Sequence, residues 1–393
     1  MNLFLNDLGV LSAAGNSRTE TFNHIIAGDR SGLIKTDKYS FAEPVYVGVV
    51  QADLPLISPK YQVYDCRNNQ LLLAALSQIK EAVKQMITKF GTDRIGIVLG
   101  TSTSGIRNTE LALNAMSKQG NKPENFHYKQ QHLGGGADFL AHYLNLKGPA
   151  YTISTACSSS GRAFVSAQRL ISLDLCDAVI VGGADSLCRF TVNGFEALES
   201  ISANPCKPFG KHRNGINISE GVALFILSKE EGPIKLSGIG ASCDAYHFSA
   251  PDPTGKPAVN AMHIALKKAQ KKANDIAYIN LHGTATPLND AMESKAVDEL
   301  FSKETAVSST KGVLGHALGA SAALELGVCW QLLTSNDKHC LLPPNINDDE
   351  LDPTIPPLNF VQQGQKSRNM INSCLSNSFA FGGNNISIVV ERT

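Results

Sequence analysis

One pattern occurs twice in this chain: a short buried strand, a junction of small residues, and a long apolar helix. The first copy begins with the strand Tyr151–Thr155, which residues of helical spacing follow. The second begins with the strand Thr305–Thr310 and passes through the segment Lys311–His316 into a helix predicted over Leu318–Leu333. Strands that alternate with helices predict sheets covered by helices. The repeat therefore indicates two related α/β halves.

The boundary between the halves is predicted at the charged turn Lys229–Gly232, so that they would span residues 1–231 and 232–393. A chain of 393 residues could hold two or three ordinary domains or one large duplicated unit. Hydrophobic residues make up 43% and charged residues 18%, which is typical of a globular enzyme with a large core. The repeat favours the duplicated unit.

Charge and cysteine content exclude several classes of protein. The 35 basic and 35 acidic residues balance, which argues against a protein that binds nucleic acid. The nine cysteines include no CxxC pair, so neither a disulfide framework nor a zinc site is predicted, and a reducing cytoplasm is the expected location. No apolar segment is long enough to cross a membrane, and the first ten residues do not resemble a signal peptide.

Cys157 lies where the first of these strands ends and its helix begins. A thiol at a helix N-terminus faces unsatisfied backbone N–H groups and the positive end of the helix dipole, which lower its pKa. The same N–H groups can bind an oxyanion. Ser158, Ser159 and Ser160 are expected to cap this helix. The alternative is a buried cysteine that packs as a small hydrophobic residue, the commoner fate of a free cysteine.

Three other segments combine residues that could take part in chemistry. His282-Gly-Thr-Ala-Thr-Pro follows directly on a buried strand, and the segment Lys311–Glu325 places His316 just before a helix. The segment Asn377–Asn384 forms a glycine-rich turn near the C-terminus. Taken singly, each has an ordinary structural explanation: a hydrogen-bonded histidine, core aromatic residues, or a turn.

Together, the four motifs resemble those of the β-ketoacyl-acyl-carrier-protein synthases in order and approximate spacing. The matching stretches are Thr-Ala-Cys-Ser-Ser, His-Gly-Thr-Ala-Thr-Pro, Lys-Gly-Val-Leu-Gly-His-Ala-Leu-Gly-Ala and Asn-Ser-Phe-Ala-Phe-Gly-Gly-Asn. The resemblance covers nearly the whole chain and is to the elongating type, which has a Cys-His-His centre. It implies an α/β fold of the duplicated thiolase-like kind, five-layered α-β-α-β-α. It also implies a dimer, made either with a second copy or with a related ketosynthase-like subunit.

The resemblance further implies a decarboxylative Claisen condensation. An acyl chain moves from the phosphopantetheine arm of an acyl carrier protein to the Cys157 thiol, and a malonyl unit on a second carrier protein then loses CO₂. The resulting enolate attacks the Cys157 thioester and lengthens the chain by two carbons. A thiol suits this transfer because its thiolate is both a good nucleophile and a good leaving group. No bound cofactor or metal is implied, since the carrier protein supplies the pantetheine.

By the same resemblance, two histidines stabilise the enolate. His282 and His316 would donate through Nε2 to its oxygen, where negative charge develops. The backbone N–H groups of Cys157 and Phe381 would bind the second oxyanion, formed when the thioester is attacked. Phe381 also matches a gate residue between the acyl and malonyl pockets.

The remaining site residues follow from the resemblance as well. Lys311, paired with Glu325, is expected to set the electrostatics around His316 rather than to act as a base. Thr284 and Thr286 match positions that hydrogen-bond the pantetheine arm. The other residues expected in the substrate site are Phe379, Gly382 and Gly383.

Acyl carrier proteins are acidic, so their docking surface should be basic. The candidates are Lys118, Lys122 and Lys129, with Lys60 and Arg67 as second choices.

The sequence departs from the family pattern at several positions. Ala285 and Ala380 replace glycines of the family motifs, and Gly210 and Asn214 stand where the family has aspartates, so part of a structural polar network is altered. Gly134–Gly136 lies in a region that in relatives is near the dimer interface and the far end of the acyl pocket. Three glycines without side chains suggest an unusually long or wide acyl tunnel; a flexible helix N-terminus is the alternative.

Other functions fit less well. A non-condensing chain-length-factor subunit usually lacks the nucleophile, whereas Cys157 is present with both histidines. A thiolase has a second cysteine near the C-terminus, and Cys374 lies on the wrong side of the motif. The initiating, coenzyme A-dependent synthase uses Cys-His-Asn, and a Cys/His hydrolase has no supporting motif. The motifs fit fatty-acid elongation and specialised polyketide or aryl-polyene synthesis equally; the divergent segment Phe209–Gly215, the glycine run and the compact length favour the specialised role.

Overall fold

The computed structural model describes residues 1–347 and 350–393. The strands in this part of the chain are β1 Phe4–Ser12, β2 Leu33–Thr36, β3 Val45–Gly48, β4 Ile95–Gly100, β5 Ala150–Ile153, β6 Ala178–Asp185, β7 Gly221–Ser228, β8 Ile234–Cys243, β9 Tyr278–Asn280, β10 Ala306–Ser308, β11 Asn359–Phe360, β12 Ser373–Ala380 and β13 Asn384–Arg392. The α-helices are α1 Arg18–Ala27, α2 Arg67–Gln78, α3 Lys80–Phe90, α4 Ile106–Gln119, α5 Gly135–Leu144, α6 Ser159–Ser172, α7 Arg189–Ala197, α8 Lys256–Ala269, α9 Pro287–Leu300, α10 Lys311–Leu314 and α11 Ser321–Thr334.

Eleven of these strands form one mixed sheet, in the order β11-β10-β9-β12-β13-β8-β1-β7-β6-β4-β5. The N-terminal half contributes β5-β4-β6-β7-β1 and the C-terminal half β10-β9-β12-β13-β8, with the same sequence of parallel and antiparallel neighbours. The two halves join where β1 pairs with β8 through Phe4 with Lys235 and Leu5 with Ile234. The strand order is thus duplicated, as the sequence repeat predicts.

Helices cover this sheet in three layers. The apolar helices α6 and α11 pack against each other between the two halves. Helices α2 and α5 cover the outer face of the N-terminal strands, and α8, with α9 beside it, covers the outer face of the C-terminal strands. Helix α11 is buried on nearly every side, as a helix enclosed between sheets must be. The result is the expected five-layered arrangement α-β-α-β-α.

Some elements differ from the sequence prediction. The apolar residues between positions 69 and 89 have the spacing of one helix, but they form two, α2 and α3, that meet at Ile79, where φ is −110° and ψ is 14°. Residues 30–62, in which Pro44, Pro55 and Pro59 argue against regular structure, contain the β2–β3 hairpin. Helices α4 and α7 were not predicted because few of their residues are buried, and a strong apolar stripe is therefore absent. In the described part of the chain, no helix combines the length and apolar character needed to cross a lipid bilayer.

The glycine run before α5 serves close packing. A Cβ atom on Gly136 would lie 2.8 Å from Cδ1 of Leu72, and one on Gly135 would lie 2.5 Å from the carbonyl oxygen of Lys129. Helix α5 therefore approaches α2 more closely than a larger residue would allow. The expectation that these glycines open a wide acyl tunnel is wrong within this chain, because neighbouring atoms already fill the space.

Candidate active site

Cys157 lies in the turn between β5 and α6. Ala156 before it has a φ of 50°, in the left-handed region that is costly for residues other than glycine and is often found at functional turns. The Ser158 hydroxyl donates to the carbonyl oxygen of Thr155 at 2.8 Å, and the Ser159 hydroxyl donates to that of Ala156 at 2.6 Å. Ser158 holds the N-cap position of α6, as expected, but its hydroxyl makes no capping hydrogen bond, and the two serines fasten the turn instead.

Three buried side chains from the two halves converge at this turn. The Cys157 sulfur lies 3.0 Å from Nε2 of His316. The ring centres of His282 and His316 are 5.5 Å apart, and the rings are nearly perpendicular, at 83°. One ligand atom from each of the three residues lies within 4.8 Å of the others. The structure thus brings together the thiol and the two imidazoles that the motifs singled out.

Backbone contacts fix the position of both histidines. His282 follows β9, and its N–H group donates to Glu293 at 2.8 Å. His316 lies between α10 and α11, where its N–H group donates to the carbonyl oxygen of Asn217 at 2.7 Å. Its own carbonyl oxygen accepts from the N–H group of Ser219 at 2.9 Å. Glu293 is a part of the site that sequence reasoning missed, because a carboxyl within a helix gave no sign of its partner.

Lys311 and Glu325 form a buried ion pair behind His282. The Lys311 ammonium group also donates to Nδ1 of His282 at 3.3 Å and to its carbonyl oxygen at 2.5 Å. As the sequence expectation has it, the charge of Lys311 acts on His316 and lowers its pKa, but the direct contact of Lys311 is with His282. Because Lys311 donates to Nδ1, the proton of the neutral His282 ring is on Nε2.

Burial determines the protonation of the three groups. Burial lowers the pKa of His282 and of His316 well below the usual value, and the charge of Lys311 acts in the same direction, so both rings are neutral at pH 7. Burial raises the pKa of the Cys157 thiol to about 11, although Lys311 and the backbone N–H groups of Phe381 and Cys157 itself oppose this shift. The lowered thiol pKa expected from the helix N-terminus is therefore wrong, because desolvation outweighs the helix.

The same three side chains are the group that could hold a metal ion in the described part of the chain. A histidine that binds a metal usually donates its other ring N–H to an acceptor. Nδ1 of His282 instead receives a hydrogen bond from Lys311, which leaves the proton on Nε2, the nitrogen that a metal would need. The arrangement suits hydrogen-bond donation better than metal ligation.

A pocket of about 280 Å³ opens in front of the thiol. Thr284, Thr286, Phe379 and Phe381 line it, as do the three converging residues. The two threonine hydroxyls lie 2.9 Å from each other. Phe195 from α7 also lines the pocket, and its ring centre lies 5.5 Å from that of Phe381. Sequence reasoning missed Phe195 because α7 itself was not predicted.

The two glycines of the C-terminal turn shape the backbone instead of lining the pocket. Gly382 and Gly383 have φ values of 78° and 73°. The Gly382 N–H group donates to the carbonyl oxygen of Phe248 at 2.8 Å, and a Cβ atom on Gly383 would lie 2.8 Å from Cβ of Asp244. Only glycine fits at position 383, which holds the turn after Phe381 in place.

The predicted docking lysines, Lys118, Lys122 and Lys129, are all exposed, and none of them lines the pocket. Arg67, the second-choice docking candidate, has a different role. Its guanidinium group donates to both carboxylate oxygens of the buried Glu220, at 2.7 and 2.5 Å. It is therefore a structural residue.

Arg213 of the divergent segment binds a carboxylate from a distant part of the chain, Asp352. The Arg213 guanidinium group donates to Asp352 at 2.5 Å and to the carbonyl oxygen of Gly210 at 3.0 Å, and it lies 3.8 Å from Asp290. Hydrogen bonds from Thr354 and Arg213 lower the pKa of Asp352 to about 2. A carboxylate 139 positions along the chain thus provides a partner for Arg213.

Family models match most of the chain. The model for the N-terminal domain of β-ketoacyl synthases matches residues 13–232, and the model for the C-terminal domain matches residues 234–348. A 3-oxoacyl-[acyl-carrier-protein] synthase 2 from Synechocystis sp. is 31% identical over 339 residues, which are 81% of this chain and 80% of the relative. The synthase of the same name from Coxiella burnetii is 28% identical over 414 residues, with 99% and 98% covered.

Solved structures share the fold along the whole chain. A ketosynthase in complex with its chain length factor, from Xenorhabdus doucetiae, has a TM-score of 0.94 and 41% identity, and 100% of this chain and 98% of that chain are covered. A β-ketoacyl synthase from Burkholderia phymatum has a TM-score of 0.86 and 26% identity, with 100% and 99% covered. These likenesses confirm the thiolase-like fold class.

Proposed function

The chain belongs to the β-ketoacyl synthase family, and we propose that Cys157, His282 and His316 carry out its decarboxylative condensation. The reaction joins an acyl chain and a malonyl unit, both delivered by acyl carrier protein, to give a 3-oxoacyl-[acyl-carrier-protein]. The observation that supports these roles most strongly is the 3.0 Å contact between the Cys157 sulfur and Nε2 of His316 in a pocket that His282 also lines.

In the first half-reaction, the acyl group passes from the pantetheine sulfur to Cys157. A new carbon–sulfur bond forms at Cys157, the bond to the pantetheine sulfur breaks, and the thiol proton leaves with the pantetheine. Since burial holds the thiol pKa near 11, the thiolate forms only as the reaction proceeds, where the charge of Lys311 and the N–H group of Phe381 favour it. Thr284 and Thr286, whose hydroxyls face one another in the pocket, bind the pantetheine arm.

In the second half-reaction, the malonyl group loses CO₂, and the electron pair moves onto the thioester oxygen as an enolate. The Nε2–H groups of His282 and His316 donate to this oxygen. The enolate carbon then attacks the Cys157 thioester, whose oxyanion the N–H groups of Cys157 and Phe381 receive. The carbon–sulfur bond breaks, the longer chain leaves on its carrier, and the Cys157 thiolate takes up a proton.

We assign the chain to the condensing subunit of a specialised system and pair it with a non-identical, chain-length-factor-type subunit. The likeness to the Xenorhabdus doucetiae ketosynthase, solved with its chain length factor, supports this pairing. The alternative, that this chain is itself the non-condensing subunit, is disfavoured because the nucleophile and both histidines are present and converge.

Lys118, Lys122 and Lys129 remain the proposed docking surface for the acidic carrier. All nine cysteines are free, in keeping with a reducing cytoplasm.

Mass spectrometry of the full chain, expressed with and without a candidate partner subunit, tests these roles. With acyl carrier protein as donor, we expect an acyl adduct on Cys157, and with malonyl carrier we expect a product longer by two carbons. The Cys157→Ser variant should lose the thioester adduct and nearly all condensation. The Cys243→Ser variant is the matched control, because Cys243 is exposed and does not line the pocket.

Two results would contradict the proposal. Condensation by Cys157→Ser at the rate of the parent would remove the nucleophile from this account. Full activity of the chain as a homodimer, with no gain from any chain-length-factor-type subunit and with saturated acyl chains alone on Cys157, would overturn the specialised pairing. Native mass spectrometry of the same samples gives the subunit composition.

A further inference from the structure

We propose that the Ser321 hydroxyl positions the proton of His316: it donates to Nδ1 and so keeps the proton on Nε2, which faces the Cys157 sulfur. Ser321 Oγ lies 2.8 Å from His316 Nδ1, and both residues are buried, with 3% and 2% of their surface exposed. The inference rests on the proposed function, because it assigns Ser321 a part in that reaction.

The available partners decide the direction of this hydrogen bond. In the described part of the chain, His316 is the hydrogen-bond partner found for the Ser321 side chain. If Nδ1 carried the proton and donated to Ser321, the buried hydroxyl hydrogen would have no acceptor. If the hydroxyl donates, Nδ1 accepts, and Nε2 holds the proton and donates to the sulfur 3.0 Å away. The first arrangement leaves the hydroxyl hydrogen of Ser321 without an acceptor, whereas the second leaves only the thiol hydrogen of Cys157, a much weaker donor. The second arrangement is therefore the less costly one.

The position of Ser321 on α11 connects it with the setting of the other histidine. Ser321 is the first residue of α11, and Glu325 lies one turn later on the same face. Glu325 pairs with Lys311, which donates to Nδ1 of His282. One face of α11 therefore carries both Ser321, the donor to Nδ1 of His316, and Glu325, which pairs with Lys311. Lys311 is the donor to Nδ1 of His282.

This arrangement has a consequence for the chemistry. With both Nδ1 atoms occupied as acceptors, both Nε2–H groups remain donors, and an enolate oxygen between them can receive two hydrogen bonds. Donors that are already oriented need no rearrangement when charge develops. Ser321 thus acts through His316, as a positioning residue, and touches no reacting atom.

The test compares three variants of the full chain: Ser321→Ala, Ser321→Thr and Ser160→Ala. Ser321→Ala removes the donor, and we expect kcat for condensation to fall about tenfold while KM for malonyl carrier changes less than about twofold. Ser321→Thr keeps the hydroxyl and should stay within about threefold of the parent. Ser160→Ala is the matched control, because the Ser160 hydroxyl accepts from Ala323 at 3.0 Å between α6 and α11 and does not contact His316.

A ¹⁵N spectrum of histidine-labelled protein reads the tautomer directly. We expect His316 to carry its proton on Nε2 in the parent, in Ser321→Thr and in Ser160→Ala, and to lose this preference in Ser321→Ala. A proton on Nδ1 in the parent would overturn the proposal, even if a variant failed to fold. So would a Ser321→Ala protein with the parent's tautomer and kcat.

The proposed function fails in a different way. A parent protein that acquires no acyl group on Cys157 would contradict the function, and the tautomer measured in the same sample would still decide the assignment to Ser321.

Discussion

The buried ion pair between Lys311 and Glu325 should be needed for activity but not for stability. Each residue is 1% exposed, and Lys311 is also the donor to Nδ1 of His282. Removing one partner leaves a buried charge without compensation, whereas replacing both by apolar residues of similar volume leaves none. The informative set is therefore Lys311→Met, Glu325→Leu and the double variant.

Breaking a buried pair by removing one partner costs about 3–5 kcal/mol, and replacing the whole pair is often neutral or stabilising. For 393 residues, the unfolding entropy is about 0.8 kcal/mol/K, so the single variants should lower Tm by about 4–6 °C. Lys311→Met should lie at the lower end, because burial already raises the pKa of Glu325 to about 7 and the carboxyl can take up a proton. The double variant should recover the Tm of the parent.

Activity should not recover in the double variant. Without Lys311, Nδ1 of His282 has no donor, and the loss of one oriented oxyanion donor typically costs about 10²–10³ in kcat. We therefore expect Lys311→Met and the double variant to retain about 1% of kcat or less.

Thermal scans at one protein concentration and steady-state condensation rates measure the two effects in the same preparations. Arg368→Gln is the control, because it breaks the exposed ion pair with Glu304 and should change neither quantity noticeably. A double variant that keeps the full kcat would refute the role given to Lys311. A double variant with a Tm as low as that of the less stable single variant would refute the argument from desolvation.

Three further results are expected. Burial raises the pKa of Glu293 from 4.5 to about 7, so its contribution to stability is complete below about pH 4.5 and is lost as the pH rises to about 7. The lowered pKa values of His282 and His316 act in the opposite direction in both proteins, so the quantity to measure is the difference in Tm between the parent and Glu293→Gln, which should shift against the parent over this interval. Since the pKa of Cys157 is about 11, the rate of its alkylation by iodoacetamide, followed by mass spectrometry, should rise up to at least about pH 9. Lys311→Met should slow this alkylation at about pH 8. A rate that stops rising below about pH 9 contradicts the raised pKa. Gly383→Ala should lower Tm and reduce kcat at least about tenfold, because its Cβ would meet a neighbouring chain segment at 2.8 Å, whereas Gly364→Ala, with a similar φ of 77° and open space around it, should lower Tm only slightly and leave kcat unchanged.

The duplicated fold followed from local patterns in the sequence, whereas the convergence of the site followed from the resemblance of the four motifs to those of a known family. Apolar runs of the right length gave most of the buried strands, and the small residues at Cys157 and before His316 marked where strands and helices meet. The four motifs added the chemistry. None of these inferences needed to know which distant side chain touches which.

The contacts between distant segments could not be predicted in this way. The thiol pKa depends on how completely the other half buries Cys157, and the direction of its shift was therefore predicted wrongly. The direct contact of Lys311 is with His282, 29 positions earlier in the chain, and not with the nearby His316. The partner of Arg213 is Asp352, and a separation of 139 residues leaves no trace in the local sequence.

The 3.0 Å between sulfur and imidazole is also a measure of how the two halves are docked. The thiol belongs to the first half and both rings to the second, while only two residue pairs join β1 to β8. A displacement of about 1 Å at a reacting centre can cost a hundredfold in rate. A shift of one half against the other by that distance would therefore lower the rate of condensation, although no reacting atom is contacted.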